Sequence, residues 1–135
     1  MKKTGIWMDQ DRAFIVSLIN DKEIVKTFSS GIEHFNVHGG SGTKFKGGPQ
    51  DVVQDSKYLE REKHQFRNYF KSLIPELIDC DKLVLFGPAD TVNKFSKTLE
   101  ENYRDLFKRL LGVHKTDSMT DNQMRAWVRD FYNHN

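Results

Sequence analysis

One short apolar run in the second half of the chain most constrains the fold. Lys82–Phe86 contains four consecutive apolar residues and is followed by Gly87 and Pro88. An apolar run without alternation is typical of a strand that is covered on both faces. The segments before and after the run carry apolar residues at helical spacing, so helices are available to cover it. The sequence therefore predicts that Lys82–Phe86 lies inside a sheet, beside the first strand and parallel to it.

Three earlier strands are predicted in the first part of the chain. Gly5–Met8, Ala13–Ile19 and Glu23–Phe28 are apolar or β-branched segments that are separated by short polar turns. Short turns join antiparallel strands, so these three are expected to form a meander. Ile32–Phe35 is expected to continue the pairing at the edge.

Helical periodicity begins after these strands. One face of a long helix is predicted from the spacing of Leu59, Phe66, Phe70, Leu73 and Leu77. Pro75 is expected to kink or restart this helix because it lacks an N–H donor. A second helix is predicted to start at Gly87-Pro88, with Pro in its first turn. Tyr103–Leu110 is expected to add one or two helical turns, and Leu111–Thr116 a weaker strand.

A last helix completes the predicted order of elements. Thr120 and Gln123 have the spacing of a capping box, and the apolar face that follows consists of Met124, Trp127, Val128 and Phe131. The order βββ-α-β-α-β-α predicts an α/β fold of the ribonuclease-H-like class, a three-layer mixed sheet with a glycine-rich loop before the first helix. With 135 residues, 1–135 is predicted to be a single domain.

A glycine-dense loop precedes the long helix. Asn36–Gln50 holds five of the nine glycines of the chain: Gly39, Gly40, Gly42, Gly47 and Gly48. Long loops without their own secondary structure are usually functional or disordered. We expect this loop to be poorly ordered in the free protein, because only Val37 and Phe45 are apolar anchors and ordering glycines costs entropy.

The polar face of the long helix forms a basic stripe. At about 100° per residue, the stripe consists of Lys57, Arg61, His64, Asn68 and Lys71, with Arg67 at its border. Lys44 and Lys46 add positive charge in the preceding loop. A basic helix face beside a basic, glycine-rich loop suits an RNA phosphate backbone. A solvated helix face without a partner is the alternative.

Composition limits the function classes further. The net charge is only +2, so attraction to nucleic acid depends on local clustering of charge. A lone cysteine, Cys80, forms no internal disulfide and fits a reducing compartment. The chain has neither a signal-peptide pattern nor an apolar run that could span a membrane. A cytoplasmic protein is expected, with no cofactor, no membrane partner and no DNA partner.

Three sequence features together resemble one protein family. They are Gly47-Gly48-Pro49-Gln50, the helix segment Glu62–Phe66, and the string Leu-Val-Leu-Phe-Gly-Pro-Ala-Asp at 83–90. The chain resembles the middle domain of archaeal and eukaryotic class I peptide chain release factors and of their Pelota relatives. It resembles the small bacterial homologues of those factors more closely still. The resemblance covers nearly the whole chain and implies a ribonuclease-H-like component of the translational machinery.

The resemblance also implies roles for the loop residues. In that family a Gly-Gly-Gln loop enters the peptidyl-transferase centre and promotes hydrolysis of peptidyl-tRNA, which makes Gly47, Gly48 and Gln50 the implied catalytic residues. Two glycines let a backbone approach RNA closely, and a Gln can position water or stabilise charge at an ester carbonyl. Pro49 departs from the family pattern because it restricts Gly48 and moves Gln50 on by one residue.

Other interpretations stay open at this point. A different alignment places Gly39-Gly40 in the glycine positions with no Gln after them, which implies ribosome rescue without hydrolysis. Asp9 and Asp90 suggest a ribonuclease-H metal pair, but two-metal chemistry normally needs more carboxylates, so turn and cap roles are favoured. The histidines lack metal-ligand spacing, and no metal is expected.

The leading hypothesis is a factor of translation termination or rescue of stalled ribosomes. It would bind the ribosome, rRNA or tRNA, with or without peptidyl-tRNA hydrolysis. One alternative is a non-catalytic RNA- or ribosome-binding module that uses the basic helix. The other is a structural or oligomeric protein.

Overall fold

The computed structural model describes residues 1–32, 48–88 and 90–134, with the backbone alone for 48–59. Within these ranges the chain forms five strands and four α-helices. The strands are β1 (Lys2–Met8), β2 (Arg12–Ile19), β3 (Lys22–Ser29), β4 (Lys82–Gly87) and β5 (Leu110–Lys115). The helices are α1 (Gly48–Leu73), α2 (Thr91–Asn102), α3 (Arg104–Arg109) and α4 (Asp121–Asn133).

The strands form one mixed sheet in the order β3-β2-β1-β4-β5. β1, β2 and β3 are an antiparallel meander, whereas β4 is parallel to both of its neighbours, β1 and β5. Ile6 of β1 is paired with Leu85 of β4. The predicted position of Lys82–Phe86, inside the sheet and parallel to the first strand, is confirmed.

Apolar side chains leave the sheet on both faces, and each face has its own helical cover. One core unites Ile6, Ile15, Leu83 and Leu85 with buried residues of α1, α2 and α3. The other core unites Trp7, Phe14, Val84 and Phe86 with buried residues of α4. β4 is apolar throughout because its successive side chains enter the two cores alternately. The architecture is therefore α/β, with helices on both faces of the sheet.

The helix is interrupted at Pro75, where the sequence predicts a kink or restart. α1 stops at Leu73, and the chain continues in a 3-10 turn over Ile74–Glu76, with Pro75 in its first positions. Cys80 follows this turn and is buried in the core beneath α1. Burial raises the pKa of the Cys80 thiol, so the residue packs as a small apolar group.

The start of α1 differs from the prediction. α1 begins at Gly48, so the prediction of a loop is wrong for its last three residues, 48–50. Pro49 is compatible with a helix here because the amide hydrogens of the first turn have no intrahelical acceptor. The rest of the loop, Asn36–Gly47, lies outside the described residues, and so does the segment Glu33–Phe35 of the expected edge strand.

α2 also begins later than the sequence predicts. It starts at Thr91, so Pro88 lies before the helix and not in its first turn. Gly87 closes β4 with φ of +152°, a conformation that side chains of L-residues rarely adopt. A Cβ at this position would collide with the carbonyl oxygen of Met8 in β1. Gly87 is therefore a strand-end glycine and not a helix start.

α4 closes the second core over the beginning of the chain. The predicted capping box is confirmed, because Thr120 Oγ1 accepts from the Gln123 amide at 3.2 Å and the Gln123 side chain accepts from the Thr120 amide. Tyr132 is buried, and its hydroxyl donates to the carbonyl oxygen of Thr4 at 2.6 Å. Close contact with β1 depends on Gly5, where a Cβ would lie 2.6 Å from Cγ2 of Val128.

Ion pairs link the edge strand β3 to residues on both faces of the sheet. The Glu23 carboxylate pairs with the guanidinium groups of Arg125 at 2.8 Å and Arg129 at 2.9 Å, both in α4. The hydrogen bond from Arg125 is the main cause that lowers the pKa of Glu23. On the other face, Lys26 pairs with Glu76 at 2.7 Å.

Candidate nucleic-acid interface

Aromatic side chains in the last turns of α1 fix its orientation on the sheet. Phe66, Tyr69 and Phe70 are buried, and the Phe70 ring centroid lies 5.1 Å from that of Phe95 in α2. The Tyr69 hydroxyl donates to the carbonyl oxygen of Asp9 at 3.3 Å. Burial raises the pKa of Tyr69, so the hydroxyl keeps its proton for this bond. These contacts determine which face of α1 meets the solvent.

The predicted basic stripe lies on that solvent-facing side. Arg61, His64, Arg67 and Lys71 are all exposed. Their exposure is confirmed, and their contact with RNA stays a prediction. Arg61 takes part in a further interaction within the protein, so the exposed polar surface of α1 is best represented by the other three. The side chain of Lys57 lies outside the described part of the chain.

Two of the three residues implied in catalysis lie at the first turn of α1, the end opposite its buried aromatic residues. Gly48 and Gln50 belong to its first turn, whereas Gly47, Lys44 and Lys46 lie outside the described residues. Phe66 is the first buried side chain among those described in α1. The helix from Gln50 to Phe66 is about 24 Å long at 1.5 Å per residue. Gln50 therefore lies about 24 Å along the helix from Phe66.

A lysine of α2 extends the cationic surface beyond α1. The Lys94 ammonium lies 4.5 Å from the centroid of the Phe66 ring, so this side chain reaches across to α1. By helical periodicity, Lys63 and Arg67 lie on the flank of α1 that also carries Phe70, the contact with α2. Lys97 follows Lys94 by three residues, so the two side chains are neighbours on the same side of α2. We call these four exposed residues the seam cations: Lys63, Arg67, Lys94 and Lys97.

Three of the seam cations are absent from the sequence prediction. Lys63 was detectable, because it lies one turn before Arg67 on the same side of the helix. Lys94 and Lys97 were not, because the flank of α1 that meets α2 is decided by the packing of Phe70 against Phe95.

The metal interpretation of the two aspartates has no support in the described residues. Asp9 is a turn residue whose carboxylate accepts the amide hydrogens of Asp11 at 2.8 Å and Arg12 at 2.9 Å. Asp90 occupies the N-cap position of α2 without a side-chain capping bond. No group of three or more potential metal ligands occurs in 1–32, 60–88 or 90–134. The turn role of Asp9 and the cap position of Asp90 are therefore as predicted.

No helix in the described part of the chain is both long and apolar enough to cross a membrane.

No protein-family model matches the chain, and no curated protein matches it. Among solved structures, an archaeal translation termination factor, aRF1, is similar at 15% identity with a TM-score of 0.49. A second archaeal protein is similar at 16% identity with the same TM-score of 0.49. Each similarity covers 98% of this chain but only 40% of the other. At these values the likeness decides neither the family nor the activity of this chain.

Proposed function

We propose that this protein engages the ribosome, through rRNA or tRNA, in translation termination or in the rescue of stalled ribosomes. The observation that carries the proposal is the exposed cationic face of α1, opposite a face that is anchored by buried aromatic residues. A helix held in one orientation offers His64, Arg67 and Lys71 to a phosphate backbone as one continuous surface. The resemblance of the sequence to release-factor middle domains supplies the functional class.

The same proposal covers the finer points of fold and location. Residues 1–135 would form one domain of the ribonuclease-H-like class and act in the cytoplasm. The strand order β3-β2-β1-β4-β5, with β4 parallel to β1, is compatible with that class.

Peptidyl-tRNA hydrolysis is the catalytic form of the proposal. Gly47, Gly48 and Gln50 would then act at the ester bond, with Gln50 placing a water molecule or stabilising charge at the carbonyl. The position of Gln50 at the far end of a long helix supports this form. Such a helix would let the chemistry occur about 24 Å from Phe66 at 1.5 Å per residue.

A non-catalytic RNA- or ribosome-binding module is the second candidate. The observation that favours it is the helical backbone of 48–50, with Pro49 in the first turn. A helical segment limits the close approach to RNA for which paired glycines are suited.

Co-sedimentation with ribosomes tests the shared part of both candidates. We expect wild type to pellet with ribosomes, and the reversal Lys71→Glu to pellet less. The matched control is Lys108→Glu, the same change in charge at an exposed lysine of α3. Equal pelleting of the two variants would overturn the role of the helix face.

Peptide release from peptidyl-tRNA on stalled ribosomes separates the two candidates. The hydrolytic form expects release by wild type and loss of release in Gln50→Ala. If wild type is inactive and a variant without Pro49 gains release, the proline has disabled an inherited site. If all three bind without releasing peptide, the non-catalytic module is correct.

A further inference from the structure

We infer that the junction of α1 and α2 binds the phosphate backbone of duplex RNA through the seam cations. The choice of RNA rests on the proposed function, and the inference adds a second helix to a surface that the sequence restricts to α1.

The first support is the way in which the two helices meet. Phe70 and Phe95 pack below the surface, and Lys94 lies over the Phe66 ring. The ring face attracts the ammonium group and holds it at the junction, while Lys94 as a whole stays exposed. Lys63 and Arg67 come from the other side of the same junction. The cations of two elements are thus brought into one surface by aromatic packing that the sequence pattern does not reveal.

The second support is the contrast between these cations and the others. Several basic side chains elsewhere are already engaged, because Lys2 pairs with Asp79, Lys26 with Glu76, and two arginines with Glu23. Arg109 donates to the carbonyl oxygens of Ile78 and Cys80. None of the seam cations has an ion pair or a side-chain hydrogen bond within the described residues. Their charge is therefore available to an external anion.

The third support is the direction in which charge changes around α1. The flank that faces β1 and β2 carries Glu62, Gln65 and Tyr69, and it offers no cation among its described side chains. The flank that faces α2 carries Lys63 and Arg67, with Glu60 a turn above them. An anionic backbone on the stripe would thus be drawn toward α2.

The burial of the aromatic residues selects duplex over single-stranded RNA. Single strands are usually recognised by stacking of bases on exposed rings. At the junction Phe66, Phe70 and Phe95 are all buried, so none of these three described rings is open to a base. The partly exposed ring stack of Trp127 and Phe131 belongs to α4, on the other face of the sheet. Contacts to phosphate without base stacking are those that a duplex requires.

Binding to a short, blunt RNA duplex, measured by fluorescence anisotropy over a series of KCl concentrations, tests the inference. The test variant is Lys63→Gln with Lys94→Gln, and its matched control is Lys108→Gln with Lys115→Gln. Each lost phosphate contact lowers the slope of log K against log salt concentration by about 0.9. The loss of two contacts therefore corresponds to roughly 60-fold weaker binding at about 0.1 M salt. Lys94→Arg keeps the charge over the ring and should bind as wild type. Thermal unfolding of every variant verifies that the fold is retained.

Each outcome separates the inference from the function on which it rests. The inference holds if the test variant binds duplex RNA more weakly and with a smaller salt dependence than wild type, while the control variant and Lys94→Arg bind as wild type does. If the test variant binds duplex RNA as wild type does, and Lys71→Glu does not, the junction is excluded and the helix face of the proposed function stands. If single-stranded RNA or duplex DNA competes as well as duplex RNA, the assignment to duplex RNA is overturned. If wild type binds neither ribosomes nor RNA, the proposed function fails.

Discussion

Alanine at two glycines should destabilise the protein for different physical reasons. At Gly5 an added Cβ would lie 2.6 Å from Cγ2 and 3.1 Å from Cγ1 of Val128, and 3.3 Å from Cγ1 of Val84. These atoms belong to side chains, so α4 can relieve the contact by a small shift. Overpacking of a core costs about 1–3 kcal/mol, and we expect about 2 kcal/mol for Gly5→Ala.

Gly87→Ala should lower the free energy of unfolding by more than Gly5→Ala, because the added Cβ would meet backbone atoms and not a side chain. The added Cβ would meet the Met8 carbonyl oxygen and lie 3.2 Å from the Met8 amide nitrogen. Both atoms belong to the backbone of β1, where Met8 is paired with Ala13 of β2, so they cannot move aside as a side chain can. The φ of +152° adds about 1–3 kcal/mol of backbone strain for a residue with a side chain. We therefore expect Gly87→Ala to lose about 3–5 kcal/mol of unfolding free energy.

Thermal and urea unfolding measure these changes. An unfolding entropy of about 2.1 cal/mol/K per residue makes 1 kcal/mol equal to about 3.5 °C in a chain of 135 residues. Gly5→Ala should thus lower Tm by about 7 °C, and Gly87→Ala by about 10 °C or more.

A double-mutant cycle with Val128→Ala tests the stated cause. This change removes the methyl groups that a Cβ at position 5 would meet, so Gly5→Ala should cost about 1–2 kcal/mol less in that background. Gly87→Ala should cost the same in both backgrounds and serves as the control. If Gly5→Ala is equally costly with and without Val128, close contact with α4 is not the reason for the glycine.

Three further changes have expected outcomes. Tyr132→Phe removes the donor to the buried Thr4 carbonyl, and urea unfolding should show a loss of about 1–2 kcal/mol. Thr120→Ala removes the cap of α4 and should cost about 1 kcal/mol in thermal unfolding. The pKa of Glu23 is lowered on folding, mainly by the hydrogen bond from Arg125, so its stabilisation is present above the unfolded pKa of about 4.3 and is lost as pH falls through the lowered value. The stability difference between wild type and Glu23→Gln should therefore shrink between about pH 6 and about pH 3, and an unchanged difference would contradict the role of the ion pairs.

The parts of the fold that could be predicted are those that local pattern determines. Lys82–Phe86 is central because four consecutive apolar residues need cover on both faces, and the two cores provide it. The Thr120–Gln123 capping box depends on a spacing within one turn, and it forms as expected. Proline in the interior of a helix kinks or breaks it, so the interruption at Pro75 follows from that residue alone.

The remaining features depend on contacts between distant segments. The pair Gly87-Pro88 is typical of a helix start in sequence. The close approach of Gly87 to Met8 of β1 results from the pairing of the strands, so the local sequence does not predict it. Gly48 and Pro49 read equally well as a turn or as a first helical turn. In the candidate site, the basic stripe on α1 follows from helical periodicity alone. The position of Lys94 beside α1 could not be predicted, because the sequence does not show which flank of α1 faces α2.

The cover that α4 provides has a consequence for synthesis of the protein. The aromatic face of the sheet, with Trp7, Phe14 and Phe86, is covered by a helix that is translated after all five strands. At about 5–20 residues per second, the ribosome needs about 2–9 s to proceed from the end of β4 to the end of α4. During that interval the nascent sheet presents bare rings to its surroundings. A message truncated before the codon for Thr120 would therefore yield a chain with a permanently open hydrophobic face, a substrate for chaperones and proteases.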